Sequence, residues 1–400
     1  MKTVPLFFLI AAVTCGVFKS FAQTWTTNAL SPSAFMIASS ADGTKLVAAC
    51  GDGDVYTSTN SGINWAQHLA LPNAILAASS ADGNILFSYA GAGFNVSTNS
   101  GNTWSFRANS PSGQFIVSSA DGTKLLTAIG YGEYRLNTAN GALYTSTNFG
   151  VAWVTNNVSI AIWQAAAASA DGNKLVSVIN GGGIYTSTNF GAAWISNSVP
   201  KKTWASVASS ADGAKLVAIA IDNGAGGING GGFFTSTNSG TTWVSNSAPK
   251  PNLRWVSVVS SADGNRLVAI AGGYLGYGPV YSSTNNGQNW ISNSLPNTGW
   301  TAVASSADGC KLFASAYAVS PRIFSSTVTP PPPPMNITPA INNFTLSWPV
   351  PSTNFVLQQS SDPTSWSDLT NVPVLNLTNL QNQVTLPPSA GNSFYRLKTP

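Results

Sequence analysis

One tetrapeptide constrains this chain more than any other feature. Ser-Ala-Asp-Gly occurs seven times in 400 residues, with its aspartate at 42, 82, 121, 171, 212, 263 and 308. The spacings are 40, 39, 50, 41, 51 and 45 residues. A second motif, Ser-Thr-Asn-x-Gly-x-x-Trp, follows each of the first six copies and ends at Trp65, Trp104, Trp153, Trp194, Trp243 and Trp290. Repeats of this length built from short strands indicate a propeller, with one unit per blade.

Residues 204–244 show how a unit parses. Trp204 to Ser209 alternates small and apolar residues, and Ala211-Asp212-Gly213 turns the chain. Lys215 to Ala220 is a second strand, Phe233 to Ser236 a third, and Asn238-Ser239-Gly240 turns into Thr242-Trp243-Val244. Four strands with Asp-Gly or Asn-x-Gly turns are the composition of antiparallel hairpins. The seventh unit stops after Ile323-Phe324-Ser325-Ser326, before a Trp strand. Thr24-Trp25-Thr26-Thr27-Asn28 resembles Thr242-Trp243-Val244-Ser245-Asn246, so Trp25 is expected to supply the missing outer strand. Both ends of the chain would then close the ring. The expected fold is all-β: a seven-bladed β-propeller over 23–328, closed by its N-terminal strand.

The Ser-Thr-Asn-x-Gly-x-x-Trp motif resembles the Asp-box (BNR) repeat of sialidase-like, sortilin-type and photosystem-assembly-factor-type propellers. All six copies carry Asn where that family has Asp: Asn60, Asn99, Asn148, Asn189, Asn238 and Asn285. Only Thr103 and Thr242 keep the family's Thr before the Trp. The resemblance covers 24–326 and implies a fold; many unrelated activities share the box. Asn keeps an acceptor for backbone amides two residues on, while Gly supplies positive φ, so these positions read as structural. Neutral Asn ligands argue against calcium in the turns. The Ser-Ala-Asp-Gly aspartates read as solvated turn carboxylates.

The ends of the chain differ from the repeat. Residues 1–22 read as a secretory signal peptide, with Lys2, an apolar stretch from Val4 to Phe18, and Ser20-Phe21-Ala22 as the cleavage site. A secreted, periplasmic or cell-surface location is therefore expected, with no membrane insertion after cleavage, because no later segment is long and apolar enough to span a bilayer. Pro330 to Pro334 lie in a Pro-rich linker, 329–334, that favours an extended spacer. The tail, 335–400, has alternating runs separated by Pro and Asn, as in a small β-sandwich. Its Leu346-Ser347-Trp348-Pro349 and Phe394-Tyr395-Arg396-Leu397 resemble a fibronectin-III-like module, which implies attachment or spacing.

Composition limits the chemistry. Charged residues make up 8% of the chain, against roughly 25% in an average soluble protein. A formal charge of +4 on so few groups gives no phosphate-binding surface, so a nucleic-acid partner is not expected. Glu133 and His68 are the only residues of their types. No metal or cofactor is expected, since Cys50, Cys310 and one His cannot build a four-ligand zinc site of Cys and His alone. Register places the two cysteines at opposite ends of equivalent strands, so both thiols are expected free.

Both repeated motifs occupy turns on one face of a propeller. The other face carries variable connections, and loops that vary over a fixed scaffold commonly bind. Asp52, Asp54, Glu133, Arg135, Asp222, Arg254 and Arg322 fall there. Eight residues before each turn Asp the sequence reads Ala34, Ala74, Gly113, Trp163, Trp204, Trp255 and Trp300. Four adjacent blades thus place a Trp near the channel mouth. Their planar faces suit sugar rings, with Asp52, Glu133, Arg135, Asp222, Arg254 and Arg322 as polar companions; alternatively they fill gaps between blades or plug the channel. The expected function is binding or scaffolding by a monomer, with a polysaccharide or a cell-surface protein as partner and no catalytic residue. The alternative is a sialidase-like or glucanase-like glycoside hydrolase using Glu133 or the pair Asp52 and Asp54, since glycosidases need paired carboxylates.

Overall fold

The structure is a computed structural model. It describes residues 24–398 except 29–33, 69–73, 91–92, 109, 112, 130–140, 222–230, 248, 250–252, 273–275, 318–321, 329–331, 351–354, 363 and 390. The proposed signal peptide therefore lies outside the described residues. The described residues are all-β, and no helix among them is long and apolar enough to cross a membrane.

Seven four-stranded antiparallel units follow one another, each in the order A-B-C-D. In blade 1 the strands are Ala34–Ser39, Leu46–Cys50, Val55–Ser58 and Ala66–His68. Strand A is Ala74–Ser79 in blade 2, Gly113–Ser118 in blade 3 and Trp163–Ala168 in blade 4. It is Lys202–Ser209 in blade 5, Trp255–Ser260 in blade 6 and Gly299–Ser305 in blade 7. Blades 4 and 5 are stitched into one sheet by the pairs Asn180↔Thr203 and Gly182↔Lys202. Blade 7 takes its outer strand from the N-terminus: Trp25–Asn28 pairs with Arg322–Thr327, Trp25 opposite Ser326. The fold is a seven-bladed β-propeller closed by its first strand.

The Ser-Ala-Asp-Gly turns close the ring a second time. The backbone N–H of each turn alanine donates to the carbonyl of the next blade's alanine at 2.6–2.8 Å, from Ala41 to Ala81 onward, and Ala307 returns to Ala41. Seven units spaced about 5 Å apart, as across a β-ladder, give a ring about 6 Å in radius. One end of the central channel is therefore narrow.

The turn aspartates are not merely solvated, because they are the acceptors that shape the turn. Asp42 Oδ1 accepts from the Ser40 hydroxyl at 2.6 Å and from the Thr44 amide at 3.0 Å. Burial alone would raise its carboxyl, but the bonds from Ser40 and Thr44 and the charge of Lys311 outweigh it and hold the group below the usual range. Asp121, Asp171, Asp212 and Asp263 are lowered by the same balance of burial against Ser and amide donors. Three residues after the aspartate, in every blade but the second, where Ile85 stands, a cation reaches the next blade. Lys215 Nζ, for example, donates to Asp263 O at 2.9 Å and to Asn265 Oδ1 at 2.7 Å.

The Asn turns differ from expectation in one bond. Asn60 Oδ1 accepts from the amide four residues on, Asn64, at 2.9 Å, while the amide two on, Gly62, goes to Ser58 Oγ at 2.9 Å. Ser is thus as necessary as Asn. Ser61 and Gly62 both take positive φ, 58° and 83°, and the pattern repeats in six blades. Cys50 and Cys310 are free, as their register implies, and both are buried.

The C-terminal strands form two sheets, one of four strands and one of three. Leu346, Trp348, Val384 and Leu386 of the first pack against Leu357 and Leu397 of the second in one apolar core, a small β-sandwich.

Candidate functional site

The four inner-strand tryptophans are core residues, not a platform. Trp163, Trp204, Trp255 and Trp300 are each at most 1% exposed. Trp300 meets Phe324 edge-on at 5.1 Å and Trp163 meets Tyr185 at 5.3 Å. The indole N–H of Trp204 donates to Gly182 O at 2.9 Å, and that of Trp300 to Gly278 O at 2.8 Å. Each acceptor glycine stands just before strand C of the preceding blade. The indole therefore clasps one blade's connecting loop to the next blade's inner strand, and its faces are covered. A ring so buried cannot stack on a sugar, so the expected glycan platform is absent at these positions.

The mouth is built by the following residue. In all seven blades the A–B ladder slips by one position just after strand A begins. Such a bulge leaves one residue unpaired and re-aims its side chain. The residues concerned are Phe35, Ile75, Gln164, Ala205, Val256 and Thr301, with Gln114 and Phe115 sharing the slip in blade 3. Six of them line one cavity of about 400 Å³ together with Ile221, Arg254 and the edges of Trp255 and Trp300. That volume lies at the lower end of the range for small-ligand pockets, about 300–1000 Å³. Ile75 is 46% exposed and Arg254 is exposed; Phe35, Gln164, Ala205, Val256 and Thr301 are half-buried. Thr301 Oγ1 also donates to Ala34 O at 2.7 Å across the closing junction.

Of the described polar candidates, the structure brings only Arg254 to this cavity. It is the one charged residue among the described lining. Asp52 and Asp54 share the short B–C turn of blade 1 but are held by their own blade. Asp52 accepts from the Asp54 amide at 3.1 Å and the Tyr56 phenol at 2.7 Å, and Asp54 accepts from Gln67 Nε2 at 2.7 Å. Burial first, then the bond to Asp52, push the Tyr56 phenol up. Glu133, Arg135 and Asp222 lie outside the described residues, as does the side chain of Arg322. His68 occupies the strand-D place held by Asn156, Asn197, Asn246 and Asn293 in blades 3–6, and Thr57 Oγ1 lies 2.9 Å from its Nε2. Burial lowers its pKa. Among the described residues, no three of His, Cys, Asp and Glu come together as a metal site.

No protein-family model matches the chain, and a search of curated proteins finds no match. Solved structures do match. YCF48 from Cyanidioschyzon merolae is similar at a TM-score of 0.57 and 14% identity, over 76% of this chain and 98% of its own. The Cps50 (Swd1) β-propeller domain of Myceliophteria thermophila gives 0.59 and 14%, over 77% and 100%. The GH74 xyloglucanase from Xanthomonas campestris gives 0.54 and 14%, over 82% of this chain and 59% of the enzyme. Likeness at this identity shows the propeller fold alone. A structure of YCF48 bound to D1 peptide is also similar, at 0.55 and 16% over 77% and 96%.

Proposed function

We propose that this chain is an exported binding or scaffold protein that seats a segment of a protein partner in the channel mouth of its variable face. Six of the seven bulges carry the reading, because they aim side chains of differing chemistry into one apolar cavity over a repeated scaffold. The channel axis is a common place for ligands in closed β-architectures. A polysaccharide partner loses its main support with the burial of the four indoles. The Asp-box resemblance and the fibronectin-III-like tail fit an exported scaffold but name no ligand. Binding of D1 peptide by the similar YCF48 propeller is consistent with a protein partner. Hydrolysis by Asp52 and Asp54 is disfavoured by the bonds that tie both carboxylates to blade 1.

A random peptide display library panned on the purified protein tests this, with a glycan array run beside it. Peptides should be enriched on the wild-type protein, and Ala205→Trp, which fills the mouth, should abolish their retention at unchanged Tm. Equal enrichment on both proteins, or retention of glycans alone, would refute the proposal.

A further inference from the structure

The mouth is a cup rather than a groove. Its described lining comes from blades 1, 2, 4, 5, 6 and 7, so it surrounds the axis, and the alanine ring narrows the far end. A polymer lying across the face would need an open path on two sides, whereas a cup accepts something that protrudes. Phe35, Ile75, Ala205, Ile221 and Val256 make its wall apolar, and Gln164 and Thr301 add two uncharged polar groups. Arg254 is exposed and its guanidinium has no partner among the described residues. An apolar wall beside one cation that has no described partner complements an apolar group with an anion next to it.

We infer that the mouth takes an extended acidic-aliphatic peptide segment, with a bulky aliphatic side chain in the cup and the adjacent residue's carboxylate on Arg254. The inference rests on the protein-binding reading above and names the chemistry of the segment. The aliphatic side chain supplies affinity through burial, and the carboxylate fixes register through a charge-assisted pair with a planar fork.

Fluorescein-labelled Gly-Ser-Leu-Asp-Ser-Gly, and versions with Leu replaced by Ala or Asp replaced by Asn or Lys, are titrated against the full chain by fluorescence anisotropy. Replacing Leu by Ala should weaken binding about 10- to 100-fold, the effect of one buried aliphatic side chain. Replacing Asp by Asn should weaken it about 5-fold, as for a solvent-exposed pair, and Lys should weaken it further. Arg254→Gln should bring the Asp and Asn peptides to equal affinity while keeping the preference for Leu over Ala. Ala205→Trp and Gln164→Trp should each remove binding of all four peptides. Asp-over-Asn preference surviving in Arg254→Gln would overturn the inference. If these peptides fail while display-selected peptides still bind in an Ala205→Trp-sensitive manner, the chemistry assigned here is wrong and the protein-binding reading stands. If selected peptides ignore both mouth-filling variants, that reading falls as well.

Discussion

Trp300 and Trp163 make a matched pair for testing what the inner tryptophans do. Both are at most 1% exposed, both stand just before the bulge of an inner strand, and both meet an aromatic ring edge-on at 5.1–5.3 Å. They differ in one bond. Trp300 Nε1 donates to the buried Gly278 carbonyl at 2.8 Å, whereas Trp163 Nε1 has no hydrogen-bond partner. Replacing either by Phe removes the same ring volume and the same indole nitrogen, so the packing loss is common to both. Only Trp300→Phe also leaves a buried carbonyl unpaired, at a cost of about 1–3 kcal/mol. Unfolding entropy of about 2.1 cal/mol/K per residue over roughly 300 propeller residues converts that difference to about 2–5 °C in Tm. Differential scanning calorimetry at one scan rate should therefore place Trp300→Phe below Trp163→Phe by that margin. Equal shifts would refute the clasp. Loss of glycan retention at unchanged Tm in either variant would refute the burial itself and restore the platform.

Two further outcomes follow from the ring. Asp42, Asp121, Asp171, Asp212 and Asp263 have lowered pKa values in the fold. Their contribution is complete above the unfolded carboxylate value of about 3.9 and is lost as pH falls through the lower folded values; Asp42→Asn should flatten the fall in Tm between pH 5 and pH 2, and an unchanged slope would contradict the assignment. Deleting residues through Asn28 leaves Arg322–Thr327 as an open edge. Open edges recruit strands from other chains, so the truncated protein should melt lower and self-associate with rising concentration on size exclusion; a monomer with the full-length Tm would show that the first strand does not close the ring.

The fold was legible because its signals are local and repeated. Asp-Gly and Asn-x-Gly turns are set by nearby bonds such as Ser40 to Asp42, so spacing alone located every blade, and the likeness of Trp25-Thr26-Thr27-Asn28 to later outer strands located the closure. The sequence pointed to the start of strand A, one residue before the bulge residues that line the cavity. Trp163, Trp204, Trp255 and Trp300 drew attention because they recur. In a repeat array, recurrence marks packing, as the burial of all four rings shows. The next position reads Phe35, Ile75, Gln114, Gln164, Ala205, Val256 and Thr301, and its variety was the available signal. A bulge, however, is a slip in pairing between strands and leaves no local mark in the sequence.

Low charge and the chemistry of the mouth have one explanation. Lys124, Lys174, Lys215 and Lys311 each reach the turn aspartate's carbonyl on the next blade, at 2.9–3.2 Å. Lys45 bonds Asn84 and Arg266 contacts Cys310 at the same station. The seven turn aspartates are engaged beside them. Thirteen of the chain's thirty charged residues therefore sit on the turn face, far along the strands from the mouth. Arg254 is the one charged residue in the described lining, so under the proposed binding role it would discriminate by the sign of what approaches. The described lining holds no carboxylate and one cation, so a ligand that binds there as proposed should be indifferent to Asp52→Asn yet sensitive to Arg254→Gln.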